Sequence, residues 1–167
     1  MRREGATAAR RPRRLLHEGM SMEVRRATVD DLDAWGRLRL QLWPDIPADA
    51  LSAEQVAMLE AADRCAVFLW EEGGVVSGLA EASLRHDYVN GCETSPVVFL
   101  EGIFVAPEHR RRGVAGRLVA AVEGWAREIG VRELASDADL ANTISHAMHR
   151  DLGFEETERV VYFRKEL

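Results

Sequence analysis

Arg110-Arg111-Arg112-Gly113-Val114-Ala115-Gly116 is the stretch on which the fold turns. It stands between an apolar run, Val97 to Val105, and a segment in which Val114, Leu118, Val122, Trp125 and Ile129 recur at helical spacing. A strand therefore feeds a helix through a short, basic, glycine-bearing turn. The start of a helix presents unpaired N–H groups and the positive end of the helix dipole. Gly113 lets backbone approach a ligand closely, and the arginines add charge. The turn reads as a cradle for a pyrophosphate; an exposed basic turn is the plain alternative. It matches neither G-x-x-x-x-G-K-[ST] nor G-x-G-x-x-G, so neither an ATPase nor a dinucleotide enzyme is supported.

Upstream of the cradle, Glu23 to Ala27 reads as a short first strand. Thr28 with Asp31 resembles a capping box, and Asp30 to Leu42 follows as a helix on Leu32, Trp35, Leu38 and Leu42. Trp43-Pro44-Asp45-Ile46-Pro47 breaks it, because proline cannot join the helix ladder. Ser52 with Gln55 is expected to open a second helix reaching Ala61. Cys65 to Trp70 and Val75 to Leu84 form a hairpin about Gly73-Gly74, and Arg85 to Ser95 is a polar and aromatic loop. Pro107 ends the long strand. Downstream, Glu133 to Ser136 is a strand, Asn142 to Leu152 a helix closed by Gly153, and Phe154 to Lys165 a final strand pair. The order implies one mixed α/β sheet with helices on both faces, without internal repeats or low-complexity segments.

A chain of 167 residues, 47% hydrophobic and 30% charged, builds one domain without disulfides or metal. No run of about 18 apolar residues marks a membrane span. Cys65 and Cys92 make neither a disulfide framework nor a Cys/His metal cluster, so a reducing, cytoplasmic setting is expected and no metal is required. Residues 1–19 hold six arginines against Glu4 and Glu18, a net +4, so the −6 of the whole chain leaves −10 on the rest. An acidic body attracts cations and repels nucleic acid and anionic membranes. The Arg-rich start lacks the apolar core of a secretory signal. Residues 1–20 read as a disordered extension, and 22–167 as the domain.

Arg110-x-x-Gly113-x-Ala115, after a strand ending Val105-x-Pro107, resembles the acetyl-CoA pyrophosphate motif [Q/R]-x-x-G-x-[G/A] of the GNAT superfamily of N-acetyltransferases. Asn142 followed at +11 by Gly153-Phe154 resembles that superfamily's second motif. The resemblance covers Glu23 to Lys165. It implies an acetyltransferase fold whose central parallel strands splay at an acetyl-CoA cleft. A narrower resemblance runs through Trp43-Pro44, Arg85 to Cys92, Ser95 to Val105, Ala135-Ser136-Asp137 and Gly153 to Val160. These segments are similar to aminoglycoside N-acetyltransferases that modify the 6′-amine. The resemblance implies that Trp43, Tyr88, Glu101, Asp137 and Glu158 meet the aminoglycoside. It also implies that Ile103, Phe104, Val105, Arg111, Arg112, Gly113, Val114, Ala115 and Gly116 line acetyl-CoA through backbone, that Asn142 meets the pantetheine, and that the enzyme is a homodimer. Ile46 stands where related enzymes place a substrate-contacting histidine, a departure that bears on substrate preference.

Read from the residues alone, Glu101 is a charge inside an apolar strand, expensive unless it meets a partner. An outward pose or an arginine pair is the plain reading; substrate contact and a role as the base that deprotonates the amine is the functional one. Asp137 ends the next strand, where α/β sheets place ligand contacts, though turn aspartates are common. Trp43 is a core plug or an aromatic wall for a sugar, and Glu158 alone means little. His149 lies seven residues after Asn142, on the same helix face. The resemblance puts it where a tyrosine often protonates the departing thiolate; from the residues alone it reads as a solvated helix histidine. Other acetyl acceptors, a polyamine or a protein N-terminus, would use the same cofactor loop. A noncatalytic acyl-CoA-binding module and a nucleic-acid arm at residues 1–19 are readings of other classes.

Overall fold

The computed structural model describes residues 21–167; the expected disordered extension at 1–20 lies outside the described residues. The chain runs β1 (Met22–Arg26), α1 (Leu32–Leu42), α2 (Ala48–Glu60), β2 (Cys65–Glu72), β3 (Val75–Arg85), β4 (Val97–Val105), α3 (Val114–Glu128), β5 (Leu134–Ser136) and α4 (Thr143–Asp151). The five strands form one sheet in sequence order. The first three pairings are antiparallel and β4 pairs with β5 in parallel. The sheet is mixed, as expected.

The period-two alternation of β2 builds both layers. Ala66, Phe68 and Trp70 pack with Val114, Leu118 and Val122 of α3. Val67 and Leu69 face the other way, onto Trp35 and Leu38 of α1. The α3 stripe is wider than the sequence spacing suggests, taking in Val119 and Ala126, while Ile129, just beyond the helix, is 38% exposed. A capping interaction holds the entry to α1. The Asp31 carboxylate accepts the Thr28 backbone N–H at 2.8 Å and the Arg25 guanidinium at 2.7 and 2.8 Å.

Two expectations are corrected. α2 begins at Ala48, directly after Pro47, rather than at Ser52. Proline is well suited to a helix entry, and Gln55 is drawn inward instead: it is buried, and its Nε2 donates to the Leu32 carbonyl at 3.0 Å. The final strand pair over 154–165 does not form; after α4 the chain carries no regular element. A strand needs a partner for its backbone groups, and this segment leaves Val161, Tyr162 and Phe163 almost wholly exposed.

Candidate active site

The residues of the site gather where β4 outruns β5. The parallel ladder closes at Leu100↔Ser136, and β4 continues to Val105 with no partner on that side among the described residues. Glu101 and Asp137 each lie one residue beyond this last rung. On the other side of β4 the register shifts: Ala82 faces Leu100 but Glu81 faces Gly102, so Glu101 is the extra residue of a β-bulge. Bulges re-aim side chains. Here the bulge turns Glu101 toward α1, into a cavity of about 870 Å³ lined by Arg39, Leu42, Trp43, Pro44, Asp45, Ile46, Pro47, Met58, Glu81 and Glu101. Gly102 permits the wall of this cavity: a Cβ there would run into the Trp43 ring. Trp43 is thus laid on the strand beside Glu101, half-buried, with the Arg39 guanidinium 5.3 Å from its ring centroid.

Glu101 is partnered within the chain. Arg85 donates to it through Nη2 at 2.7 Å and Nε at 3.1 Å, and the Ser83 hydroxyl also donates. Arg85 in turn lies 3.5 Å over the Phe99 ring. The arginine pairing foreseen as the plain reading is therefore present. The carboxylate still lines the cavity, and with four lone-pair sites it retains acceptor capacity. Beside it stands a carboxylate the sequence reading missed. Glu81 is 1% exposed, accepts the Trp35 indole N–H at 2.6 Å and pairs with Arg39 Nε at 3.0 Å. Burial pushes its pKa up, against the opposing pull of Arg39. Arg39 also reaches Glu54 at 3.0 Å.

The other predicted substrate contacts, Tyr88, Asp137 and Glu158, do not line the cavity. Tyr88 is 74% exposed on the loop after β3, and Asp137 is exposed just past β5. Glu158 accepts from Asn90 Nδ2 at 2.9 Å, and a Cβ at Gly91 would strike Thr157, so the segment after α4 rests on the Tyr88 loop.

The cradle has the geometry its sequence suggests. Arg111 and Gly113 both take left-handed backbone, φ 56° and 77°, and Gly113 caps α3. Alternating backbone hands of this kind turn successive N–H groups into a concave nest for anions. Nothing lies within 4 Å of where a Gly113 Cβ would stand, so the surface there is open to a ligand. The arginine side chains are largely committed elsewhere. Arg110 Nε donates to the Val105 carbonyl at 2.9 Å, and Arg112 donates to Glu72 at 2.7 Å, with His109 3.0 Å from the same carboxylate. Arg112 holds the Glu72 carboxyl below its usual range. Val114 is buried, so its part in a ligand site falls to its backbone. Ala115 and Gly116 are half-buried in the first turn of α3, and Ile103, Phe104 and Val105 are half-buried on the free stretch of β4.

Asn142 caps α4, its Oδ1 accepting the Ser145 N–H at 3.0 Å. His149 differs from the solvated helix residue read from the sequence alone. It is half-buried, edge-on to Phe154 with centroids 5.1 Å apart, and both ring nitrogens meet protein oxygens. Among the described residues no three His, Cys, Asp or Glu side chains cluster to hold a metal, and no helix is long and apolar enough to cross a membrane. Cys65 and Cys92 are free thiols.

A model of the acetyltransferase (GNAT) family matches residues 29–154. The chain is 54% identical over 144 residues to the aminoglycoside N(6′)-acetyltransferase type 1 of Salmonella typhimurium strain LT2, covering 86% of this chain and 99% of that protein. It is 50% identical over 144 residues to the protein of the same name from Stenotrophomonas maltophilia, covering 86% and 93%. The solved structure of AAC(6′)-Iy in complex with the bisubstrate analogue CoA-S-monomethyl-acetylneamine is similar with a TM-score of 0.84 at 52% identity, covering 88% of this chain and 99% of that one. For AAC(6′)-Ih from Acinetobacter baumannii the TM-score is 0.83 at 47% identity, with 88% and 99% covered.

Proposed function

The chain belongs to the acetyltransferase (GNAT) family, and on that premise we propose that it transfers the acetyl group of acetyl-CoA to the 6′-amine of aminoglycoside antibiotics. The observation that carries the reading is a juxtaposition at one end of the sheet. An anion nest opens the helix after β4, and an acidic, aromatic-walled cavity opens beside the bulge in β4. A pyrophosphate-bearing acyl donor and a polycationic amine suit these two sites, and β4 joins them.

Each residue group has a task in that reaction. The N–H groups of Arg111 to Gly116 hold the pyrophosphate, and the β5-side edge of Ile103 to Val105, whose other edge pairs with β3, aligns the pantetheine, with the Asn142 amide beyond it. Acetyl-CoA supplies an acetyl group activated as a thioester. Backbone N–H groups on β4 polarise its carbonyl. Trp43 forms the wall against a sugar ring. Glu101, Asp137 and Glu158 meet ammonium groups, and Tyr88 closes over the ring from its loop. An ammonium cannot attack, so it first surrenders a proton; Glu101, directly or through water, receives it. Arg85 and Ser83 fix the carboxylate for that purpose. Transfer is direct, in a ternary complex, and no metal takes part. The catalytic unit is the domain over residues 22–167; the matched family model, over residues 29–154, lies within it. We further propose a homodimer in the cytoplasm. The apolar residues Val160 to Phe163, exposed on a single chain, support a second copy as their cover.

The test is release of CoA thiol from acetyl-CoA with kanamycin, tobramycin and spermidine as acceptors. Release with both drugs and little with spermidine is expected. Acetyl-CoA binding with no turnover would favour a noncatalytic module instead.

A further inference from the structure

Arg39 is a cation in a cavity otherwise supplied with carboxylates, and the transfer chemistry above gives it no task. It stands in the last turn of α1, where its carbonyl accepts the Trp43 N–H at 2.7 Å, so the two side chains share a helix face. The Arg39 side chain is only 8% exposed, yet it lines the cavity with Trp43, Asp45, Glu81 and Glu101. Two of its nitrogens are engaged: Nε lies 3.0 Å from Glu81 Oε1, and Nη2 lies 3.0 Å from Glu54 Oε2. Nη1 is buried and has no hydrogen-bond partner among the described residues.

A buried guanidinium nitrogen without a partner is costly, because its protons have lost water and gained no acceptor. A molecule entering the cavity can supply one, and the chemistry of the site limits what it brings. Nη1 carries donors and no lone pair. An ammonium offers it nothing and is repelled. A carboxylate would suit Nη1, but Asp45, Glu81 and Glu101 repel a second anion in the same space. A neutral hydroxyl oxygen satisfies Nη1 and offends neither charge. The guanidinium does not drive a polycation out, since Glu81 and Glu54 both pair with it. It is also held in place before any ligand arrives. Glu81 is fixed by the Trp35 indole N–H at 2.6 Å, and Arg39 Nε rests on the same carboxylate oxygen.

We propose that Arg39 is a specificity-determining residue for the acetyl acceptor, donating through Nη1 to a hydroxyl on the ring that bears the reacting amine. The proposal rests on the acetyl-transfer reading and narrows its substrate class. Arg39 and Glu101, which receives the amine's proton, line one cavity, and the hydroxyls nearest that amine are those of its own ring. The cavity then sorts the polar groups of its ligand: ammonium groups go to Glu101 and the exposed Asp45, a hydroxyl to Nη1. Arg39 makes and breaks no bond and keeps its protons.

The test compares kanamycin B with dibekacin, which lacks its 3′- and 4′-hydroxyls and is otherwise the same, by steady-state release of CoA thiol from the full chain. Wild type should prefer kanamycin B by about ten- to a hundredfold in kcat/KM, the scale of a hydrogen bond from a charged donor. Arg39→Lys keeps a positive charge beside Glu81 but loses the planar fork, and the preference should fall to about twofold. Any change in amine basicity on losing the hydroxyls is common to both enzymes and cancels between their ratios. A merely structural role for Arg39 would slow both drugs alike and leave the ratio untouched. Arg39→Met/Glu81→Gln removes both buried charges together, and should lose the preference in the same way. Thermal melting checks that each variant folds. Equal kcat/KM for the two drugs in wild type, or a preference that survives in a folded variant, overturns the Arg39 assignment alone. A wild-type enzyme that releases no thiol with either drug overturns the acetyl-transfer reading and this assignment with it.

Discussion

In the proposed reaction Gly113 and Glu101 carry the two halves of the chemistry. Gly113 sits at φ 77° with open space where its Cβ would point. A β-branched residue in left-handed backbone costs about 1–3 kcal/mol and would fill the nest. Gly113→Val should therefore weaken acetyl-CoA binding far more than it lowers the melting temperature, as calorimetric titration beside a thermal scan would measure; unchanged affinity in a folded variant would remove the nest as the cofactor site. For the drug, Glu101→Gln should lower both kcat and kcat/KM, by about 10²–10⁴-fold if the base is lost. Asp137 is exposed and, in the proposed reaction, only anchors, so Asp137→Asn should cost about 1.5–3 kcal/mol, roughly ten- to a hundredfold, in kcat/KM with little change in kcat. Steady-state kinetics with tobramycin separate the two patterns; wild-type values in both would place the cation site elsewhere. Glu101 was legible in the sequence as a charge in an apolar strand next to a glycine. Glu81 was not. Its partners Trp35 and Arg39 lie more than forty positions away, and a lone Glu between alanines looks like an outward strand position. His149 was found by spacing, but its burial depends on Ser136 and Phe154, which only the packing of α4 brings to it.

At the level of elements, the entry to α1 is held by one carboxylate. Asp31 accepts Thr28 and Arg25, and Arg25 also reaches Glu71 at 2.8 Å. The Arg25 guanidinium beside it holds the Asp31 carboxyl down at about 2, against an ordinary value of 3.8. A carboxyl depressed in the folded chain favours folding fully above its unfolded pKa, and that contribution is lost as pH falls from about 4 toward 2. The shift corresponds to about 2 kcal/mol. Asp31→Asn should thus lose about that much stability at pH 7 and almost none at pH 2, read by urea unfolding at both; an equal loss at both would contradict the ion-pair account. Most elements were legible because each carries its own local pattern: the two-sided alternation of β2, the stripe of α3, the glycine turn between β2 and β3. The errors share a cause. Ser52 looks like a cap, yet Pro47 had already fixed an entry geometry five residues before it, and the long tail after α4 has strand-like residues but, among the described residues, no strand bonded to it. A strand is defined by its partner, and a sequence read alone does not contain one.

For the whole molecule, charge and shape point the same way. The body of the chain, residues 20–167, carries −10, its cavity has Asp45, Glu81 and Glu101 in its lining, and the nest proposed for the cofactor is built from backbone N–H groups. Such an acidic body draws in a polycation over a distance, while the nest holds an anion locally without repelling that polycation. The arrangement makes sense of an enzyme that must bind a highly negative donor and a highly positive acceptor side by side. That is the central claim, and the position of the product's acetyl group tests it most directly. Tobramycin incubated with the full chain and acetyl-CoA, then analysed by NMR, should carry one new acetamide on the 6′-nitrogen, formed in step with CoA release. Acetylation at another amine, or no acetylated drug while acetyl-CoA binds, would contradict it.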